Sequence, residues 1–105
     1  MLVAIILLVV VGAPLVEELL FRGLILRNLQ RWFGATFAIV ASSVLFAIPH
    51  WQPDATWQET TVLLTALGMV GLVLAIGAVM TNRLGPSVIA HFFFNAAGTI
   101  ITLVL

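Results

Sequence analysis

The sequence predicts an all-α, polytopic membrane protein with about four transmembrane helices, and three observations lead to this prediction. Apolar residues make up 63% of the 105 positions and charged residues only 8%, whereas roughly 25% of an ordinary soluble domain is charged. The mean hydropathy of +1.26 leaves too little polar material to cover the surface of a soluble domain. The apolar residues also fall into long segments, and about 20 in succession are needed to span a bilayer.

Prolines help to place the predicted helices. Pro14 lies inside the first helix, where its missing N–H leaves the Val10 carbonyl without a helical donor and can bend the helix. Pro49 ends the second helix, and Pro86 suits the first position of the fourth. Small residues in the third helix allow its neighbours to approach closely. The predicted helices run from Leu2 to about Arg31, Gly34 to Ile48, Thr61 to Met80 and Pro86 to Leu105, separated at Pro49–Thr60 by a loop and at Thr81–Gly85 by a turn.

The predicted connections differ in charge. The loop between the second and third helices carries two tryptophans, typical of an interfacial aromatic belt, and only acidic charges. Arg27 and Arg31 lie in or near the first connection, and Arg83 lies in the third. By the positive-inside rule, we expect the arginine-bearing connections to face the cytoplasm and both termini to lie outside.

The chain is interpreted as one domain, residues 1–105, because no linker rich in Pro, Ser or Gly divides it. Met1–Val11 resembles a signal-peptide core, but no positive residue precedes it and no cleavage site follows, so we expect an uncleaved helix. A net charge of zero gives no basic surface for nucleic acid. Without cysteine, disulfides and cysteine-ligated metals are excluded. The expected surroundings are a lipid bilayer, and nothing in the composition specifies an oligomeric state.

The first of three polar clusters is formed by Glu17, Glu18 and Arg22. Ionisable residues inside a membrane are costly and usually mark a functional or paired interior site. Glu18 and Arg22 are four residues apart with the acid first, the better order for an ion pair on one helix face. Glu17 is turned about 100° away from Glu18, so one arginine does not neutralise both. The alternative is a purely structural network, which would not need the second glutamate.

Two further clusters lie on the second and fourth helices. His50 follows Phe46 by four residues, although a lone histidine at a helix end is more often an interfacial residue than a ligand. His91 and Asn95 share one face of the fourth helix, where they could also join helices by hydrogen bonds. Together, one cluster on each of three helices indicates a shared site. Such residues can hydrolyse an amide through a glutamate base or through a zinc ion that generates hydroxide.

In chain order, E-E-x-x-x-R, F-x-x-x-H and H-x-x-x-N resemble the three motifs of the CPBP family, also called Abi. This family includes type II CAAX prenyl endopeptidases and bacteriocin-processing or bacteriocin-immunity proteins. The motifs extend from Glu17 to Asn95, nearly the whole chain. The resemblance implies an intramembrane endopeptidase of a bacterial or archaeal cell membrane, which cleaves a membrane-anchored or prenylated (CAAX-like) peptide.

The resemblance also implies a role for each motif residue. Glu17 activates the attacking water, and His50 helps to hold that water. His91 and Asn95 face the scissile carbonyl and stabilise its oxyanion, and preorganised donors of this kind are usually the largest catalytic contribution. The ion pair of the first cluster fixes its helix and biases the charge of Glu17. If the enzyme is metal-dependent, the expected zinc ligands are Glu17, His50 and His91; a glutamate-type enzyme needs no cofactor.

Two alternatives to an enzyme remain at this point. One is a non-catalytic membrane immunity or scaffold protein that retains the same polar residues. The other is a small ion-conducting bundle, although the third helix adds no strongly polar residue to a conducting path. Family members usually have additional membrane helices before the first motif, so this chain is interpreted as either a version truncated at the N-terminus or a minimal one.

Counting residues along the predicted helices places the candidate site residues at different depths in the membrane. At 1.5 Å per residue, Glu17 and His50 fall near one membrane face, whereas His91 lies about 15 Å deeper. By the same count, Asn95 lies about 9 Å from the depth of Glu17 and His50. We therefore predict that the Thr81–Gly85 turn dips into the protein, which is possible where that backbone is buried.

Overall fold

The computed structural model describes all 105 residues as four helices without strands. Three of the helices are long and apolar enough to cross a membrane, and the second in chain order, with its terminal 3₁₀ turn, is a shorter apolar helix. This confirms the predicted all-α architecture. The helices are α1 Leu2–Phe33, α2 Ala35–Ala47 followed by the 3₁₀ turn Ile48–His50, α3 Trp57–Thr81 and α4 Gly85–Val104.

Helix α1 widens into a π-helix over Leu8–Gly12, immediately before Pro14. The Ala13 N–H bonds to the Leu8 carbonyl, five residues back, instead of to the Val9 carbonyl. In the π-helical register Val9 would be paired with Pro14, which has no N–H to donate. A second π-helical segment, Leu19–Ile25, surrounds the first polar cluster. Such segments occur frequently at functional sites.

The start of α3 differs from the prediction. Thr56 Oγ1 accepts a hydrogen bond from the Glu59 N–H at 3.2 Å, and Glu59 Oε2 accepts one from the Thr56 N–H at 2.9 Å. This reciprocal capping box stabilises a helix N-terminus by satisfying two free N–H groups. Helix α3 therefore begins at Trp57, and the predicted loop is wrong over Trp57–Thr60, which is helical.

The helices pack in two antiparallel pairs. In the first pair, small residues let α2 and α3 approach closely, and a Cβ atom placed on Gly71 would lie only 3.3 Å from the Cα atom of Ser43. Close approach through small residues is a common form of helix packing in membranes. The buried apolar cluster at one end of this contact contains Leu26, Ala38, Ala75 and Ala78.

The second antiparallel pair is α1 with α4. Asn95 contacts Val9, and His91 contacts Glu18. Leu84, just before α4, lies within van der Waals distance of a Cβ placed on Gly23. Later residues of α1 thus contact earlier residues of α4, as in any antiparallel pair. The middle of the polar face of α4 therefore meets the middle of α1.

This pairing corrects the predicted depth of the last turn. Asn82, Arg83 and Gly85 are exposed, and only Leu84 is partly buried, so the predicted dip of the turn into the protein is not found. Glu18 lies near the middle of the 32-residue α1, rather than near one end of its apolar span. Because α1 is long and antiparallel to α4, its centre is level with His91 without any dip.

Candidate active site

The polar side chains of α1 and α4 meet in a buried cluster at the centre of the bundle. Glu18 and Arg22 are fully buried, and His91 is only 2% exposed. One carboxylate oxygen of Glu18, Oε1, lies 2.9 Å from His91 Nδ1 and 3.4 Å from Arg22 Nη1. The predicted ion pair between Glu18 and Arg22 is therefore present, and His91 joins it. We call Glu17, Glu18, Arg22 and His91 the polar centre.

Glu17 approaches the same imidazole from its other nitrogen. Its carboxylate oxygen Oε2 lies 3.5 Å from His91 Nε2, and its side chain is 28% exposed. The angular separation of Glu17 and Glu18 on α1 thus directs the two carboxylates to opposite edges of one ring. Glu17 is the accessible carboxylate of the pair, and Glu18 is the enclosed one.

The contact between Glu18 and His91 orients the imidazole. A carboxylate accepts hydrogen bonds, so at 2.9 Å the Nδ1–H of His91 donates to Glu18. Nε2 is then the nitrogen that faces Glu17. A distance of 3.5 Å is longer than a usual hydrogen bond between nitrogen and oxygen, so Glu17 is not tightly bound to the ring.

Arg22 is held by groups from two other helices. Its Nη2 donates to the Gly71 carbonyl of α3 at 2.9 Å, and its Cζ lies 4.5 Å from the centre of the Phe46 ring of α2. A guanidinium over an aromatic face is attracted by the negative potential of the ring. Arg22 Nε and Nη1 and Glu18 Oε2 are buried without a hydrogen-bond partner, which is uncommon in folded proteins.

The contribution of α3 was not predicted, because it comes from a backbone carbonyl. In the sequence, Gly71 is only one of several small residues of α3. A Cβ atom at this position would lie 3.0 Å from Phe46 Cδ1 and 3.4 Å from Arg22 Nη2. The available sequence signal was therefore a small residue in the part of α3 beyond its first turn, where no charged or amide side chain is present.

Phe46 is the aromatic residue that links the polar clusters. Its buried ring makes edge-to-face contacts with Phe21 at 5.5 Å and His91 at 5.7 Å between ring centres, a favourable geometry for aromatic pairs. The centre of the His50 ring lies 5.3 Å from the centre of the same Phe46 ring. The phenylalanine of the second motif thus forms a wall between the two histidines and beneath Arg22.

His50 is adjacent to the polar centre but not part of it. Its Nδ1 lies 3.0 Å from the Phe46 carbonyl oxygen, to which it donates, since a carbonyl only accepts. No hydrogen bond or ion pair joins His50 to Glu17 or His91. The half-buried His50 side chain instead lines an open, mostly apolar groove of about 510 Å³.

Asn95 lines the same groove and has a second contact. Its Nδ2 donates to the Val9 carbonyl at 3.0 Å, the carbonyl that the π-helical register before Pro14 leaves without a donor. This bond satisfies a backbone acceptor and joins α4 to α1. The groove itself runs between the N-terminal half of α1 and the C-terminal half of α4, with Leu67 of α3 also contributing.

The structure therefore brings four of the predicted residues into direct contact and puts two others in a neighbouring groove. In contact are Glu17, Glu18, Arg22 and His91; the groove holds His50 and Asn95. No three or more His, Asp or Glu side chains are grouped closely enough to hold a metal ion. As arranged, Glu17, His50 and His91 do not fit a zinc site, and zinc binding remains a prediction.

Comparison with known protein families gives one informative result. Residues 1–97 match the model described as type II CAAX prenyl endopeptidase Rce1-like. No curated protein and no solved structure matches the chain.

Proposed function

The chain belongs to the Rce1-like family of type II CAAX prenyl endopeptidases, and from this premise we propose that it hydrolyses a peptide bond in a membrane-anchored or prenylated peptide. The observation that carries the proposal is the arrangement at His91, whose two nitrogens face two glutamates, one partly exposed at the surface of the bundle and one fully buried. One glutamate is accessible enough to react, and the other is enclosed and holds the ring. The bundle is an integral membrane protein by the length and apolarity of its helices, and the proposed setting is a bacterial or archaeal cell membrane.

Glu17 is the proposed general base. Its carboxylate takes a proton from a water molecule while the water oxygen attacks the scissile carbonyl carbon. The same proton then passes to the amine nitrogen as the carbon–nitrogen bond breaks, which returns Glu17 to its ionised form. The partial exposure of Glu17 and its loose 3.5 Å contact with His91 support this role, because a reacting base needs access to water.

His91 is the proposed donor to the developing oxyanion, through an Nε2–H that it carries when both ring nitrogens are protonated, because its Nδ1–H is donated to Glu18. Glu18 is a positioning residue that accepts the Nδ1–H and thereby directs Nε2 toward the reacting groups. Arg22 offsets the buried charge of Glu18 and is itself held by the Gly71 carbonyl and the Phe46 ring. A donor fixed in advance in this way stabilises charge without reorganising during the reaction.

The lining of the groove beside the polar centre supports the proposal that the substrate is apolar and lipid-anchored. Seven of its 12 lining residues are hydrophobic, which suits a lipid chain or an apolar peptide segment. Because His50 Nδ1 is directed to the Phe46 carbonyl, its Nε2 remains for water or substrate. The Asn95 amide has a second N–H besides the one donated to Val9, and this N–H is the proposed donor to the oxyanion. These contacts support the proposed roles of His50 in holding water and of Asn95 beside the scissile carbonyl.

The test is cleavage of quenched, membrane-anchored peptides, with and without a prenyl group, by the protein in lipid bilayers. We expect Glu17→Gln to reduce the cleavage rate by about a hundredfold or more, in the range of general-base catalysis. The matched control is Asp54→Asn, which neutralises an exposed acid in the loop after α2 and should leave the rate unchanged.

Two other outcomes distinguish the remaining hypotheses. Inhibition by a zinc chelator that added zinc reverses would favour the metal-dependent alternative and contradict the carboxylate mechanism. A folded wild-type protein that cleaves neither peptide, or a Glu17→Gln variant that retains full activity, would contradict the peptidase proposal and favour the non-catalytic immunity or scaffold protein.

A further inference from the structure

Three of the four basic side chains lie together at one end of the bundle. Arg27 and Arg31 are four residues apart in the regular α-helical last part of α1, so they share a helix face. Arg83 lies in the turn before α4. The neighbouring Leu84 would be only 3.4 Å from a Cβ atom on Gly23, about one turn before Arg27. We call Arg27, Arg31 and Arg83 the basic end.

The charges of the basic end have no acidic partners. All three side chains are exposed, and every ion pair in the structure belongs to the polar centre. The two remaining acids, Asp54 and Glu59, lie beyond the other end of α2, in the following loop and the first turn of α3. The bundle therefore carries uncompensated positive charge at one end and negative charge at the other.

The last part of α1 also changes character where the basic end begins. Upstream, α1 exposes apolar side chains such as Leu20 and Leu24. From Arg27 onward the exposed side chains are mainly polar, while Leu26 remains buried in the apolar cluster. Trp32 is 73% exposed, and the Arg31 guanidinium carbon lies 5.7 Å from its ring centre. Tryptophan beside arginine at a polarity boundary is typical of the level of lipid head groups.

We propose that the basic end binds the head groups of anionic phospholipids on one face of the membrane. Guanidinium groups match phosphate oxygens in charge and geometry. Basic residues next to a membrane span are attracted to an anionic leaflet, and each adds to the attraction. The site is separate from the polar centre and is independent of whether the chain is a peptidase.

The test uses the fluorescence of Trp32, which lies beside Arg31. A variant with Trp51→Phe and Trp57→Phe retains Trp32 alone, and it is placed in bilayers that contain brominated phosphatidylglycerol or brominated phosphatidylcholine. Bromine quenches tryptophan at short range. At equal mole fractions, we expect the brominated anionic lipid to quench Trp32 more strongly, and added salt to weaken this preference.

Variants then assign the preference to the arginines. Each of Arg27→Gln, Arg31→Gln and Arg83→Gln should reduce the relative affinity for the anionic lipid by roughly two- to fivefold, and the triple variant should abolish the preference. Gln30→Ala, a change at an exposed uncharged neighbour on α1, should retain it.

Two further measurements keep the result interpretable. The triple variant should still be quenched by brominated phosphatidylcholine as before, which establishes that it is inserted and folded. The complementary variant Trp32→Phe reports from the opposite end through Trp51 and Trp57, and it should show no preference for the anionic lipid. Equal quenching of Trp32 by both lipids, or a preference that survives the triple substitution, would overturn the proposal.

Discussion

Arg22 and Arg31 lie on the same helix, yet their surroundings are opposite. Arg22 is fully buried, donates to the Gly71 carbonyl, lies against Phe46 and is paired with Glu18. Arg31 is exposed, has no acidic partner and lies beside Trp32. The first side chain is held by groups of two other helices, α2 and α3, and by Glu18 of its own helix, whereas the second extends from the last turns of α1.

The difference shows two ways in which an apolar bundle accommodates charge. In the polar centre, a buried charge requires a partner of opposite sign and hydrogen bonds, because desolvation is otherwise too costly. At the basic end, the side chains are exposed, so their charges need no buried partner. The two regions should therefore respond differently to the same substitution.

The largest expected effect comes from Arg22→Met. Removal of this cation leaves the Glu18 carboxylate buried without its partner, and the free energy of unfolding should fall by about 3–5 kcal/mol. Arg27→Met, the matched change at the basic end, should alter it by less than about 0.5 kcal/mol. Thermal unfolding in detergent measures both variants. A double variant with Glu18→Gln should recover part of the lost stability, and equal losses for Arg22→Met and Arg27→Met would contradict the comparison.

A smaller effect is expected from Gly71→Ala. The added methyl group would meet Phe46 Cδ1 at 3.0 Å and the Cα of Ser43 at 3.3 Å, so α2 and α3 would have to separate. Overpacking of this kind costs about 1–3 kcal/mol, and the proposed peptidase activity should fall as the separation of the helices draws the Gly71 carbonyl away from Arg22. The unfolding midpoint and the cleavage rate are the measurements.

Gly77→Ala, on the same helix, is the control for this substitution. A Cβ atom there would meet nothing within 4 Å, and alanine has the higher helix propensity by up to about 1 kcal/mol. We therefore expect Gly77→Ala to be neutral or stabilising. If Gly71→Ala behaved in the same way, the close approach of α3 to the polar centre would not constrain Arg22.

The smallest effect is expected from Asn95→Ala. The Val9 carbonyl loses its donor, and hydrogen bonds between membrane helices contribute about 1 kcal/mol. The control is Asn28→Ala on α1, because Asn28 bonds to Leu24 within its own helix and is exposed, so its loss should have little effect on unfolding. A normal unfolding midpoint for Asn95→Ala combined with lost cleavage would mean that Asn95 acts only on the substrate and not on helix pairing.

Much of the fold could be predicted because its signals are local. Pro86 and the small residues of α3 indicated where helices begin and pack, and the structure has helices in those places. The start of α3 was misplaced although its Thr56-x-x-Glu59 capping box is present in the sequence, since the aromatic and acidic residues around it were interpreted as a loop. The π-helical segments had no comparable signal beyond the proline that follows the first.

The sequence by itself determined the number of helices and the identity of the polar residues, because length, apolarity and the cost of buried charge are properties of each segment alone. Only the tertiary structure decided that Glu18, and not Glu17, holds Nδ1 of His91, and that Asn95 pairs with Val9. It also decided that the Gly71 carbonyl receives Arg22. These contacts depend on the rotation and axial position of one helix against another, which are fixed by packing between residues far apart in the chain.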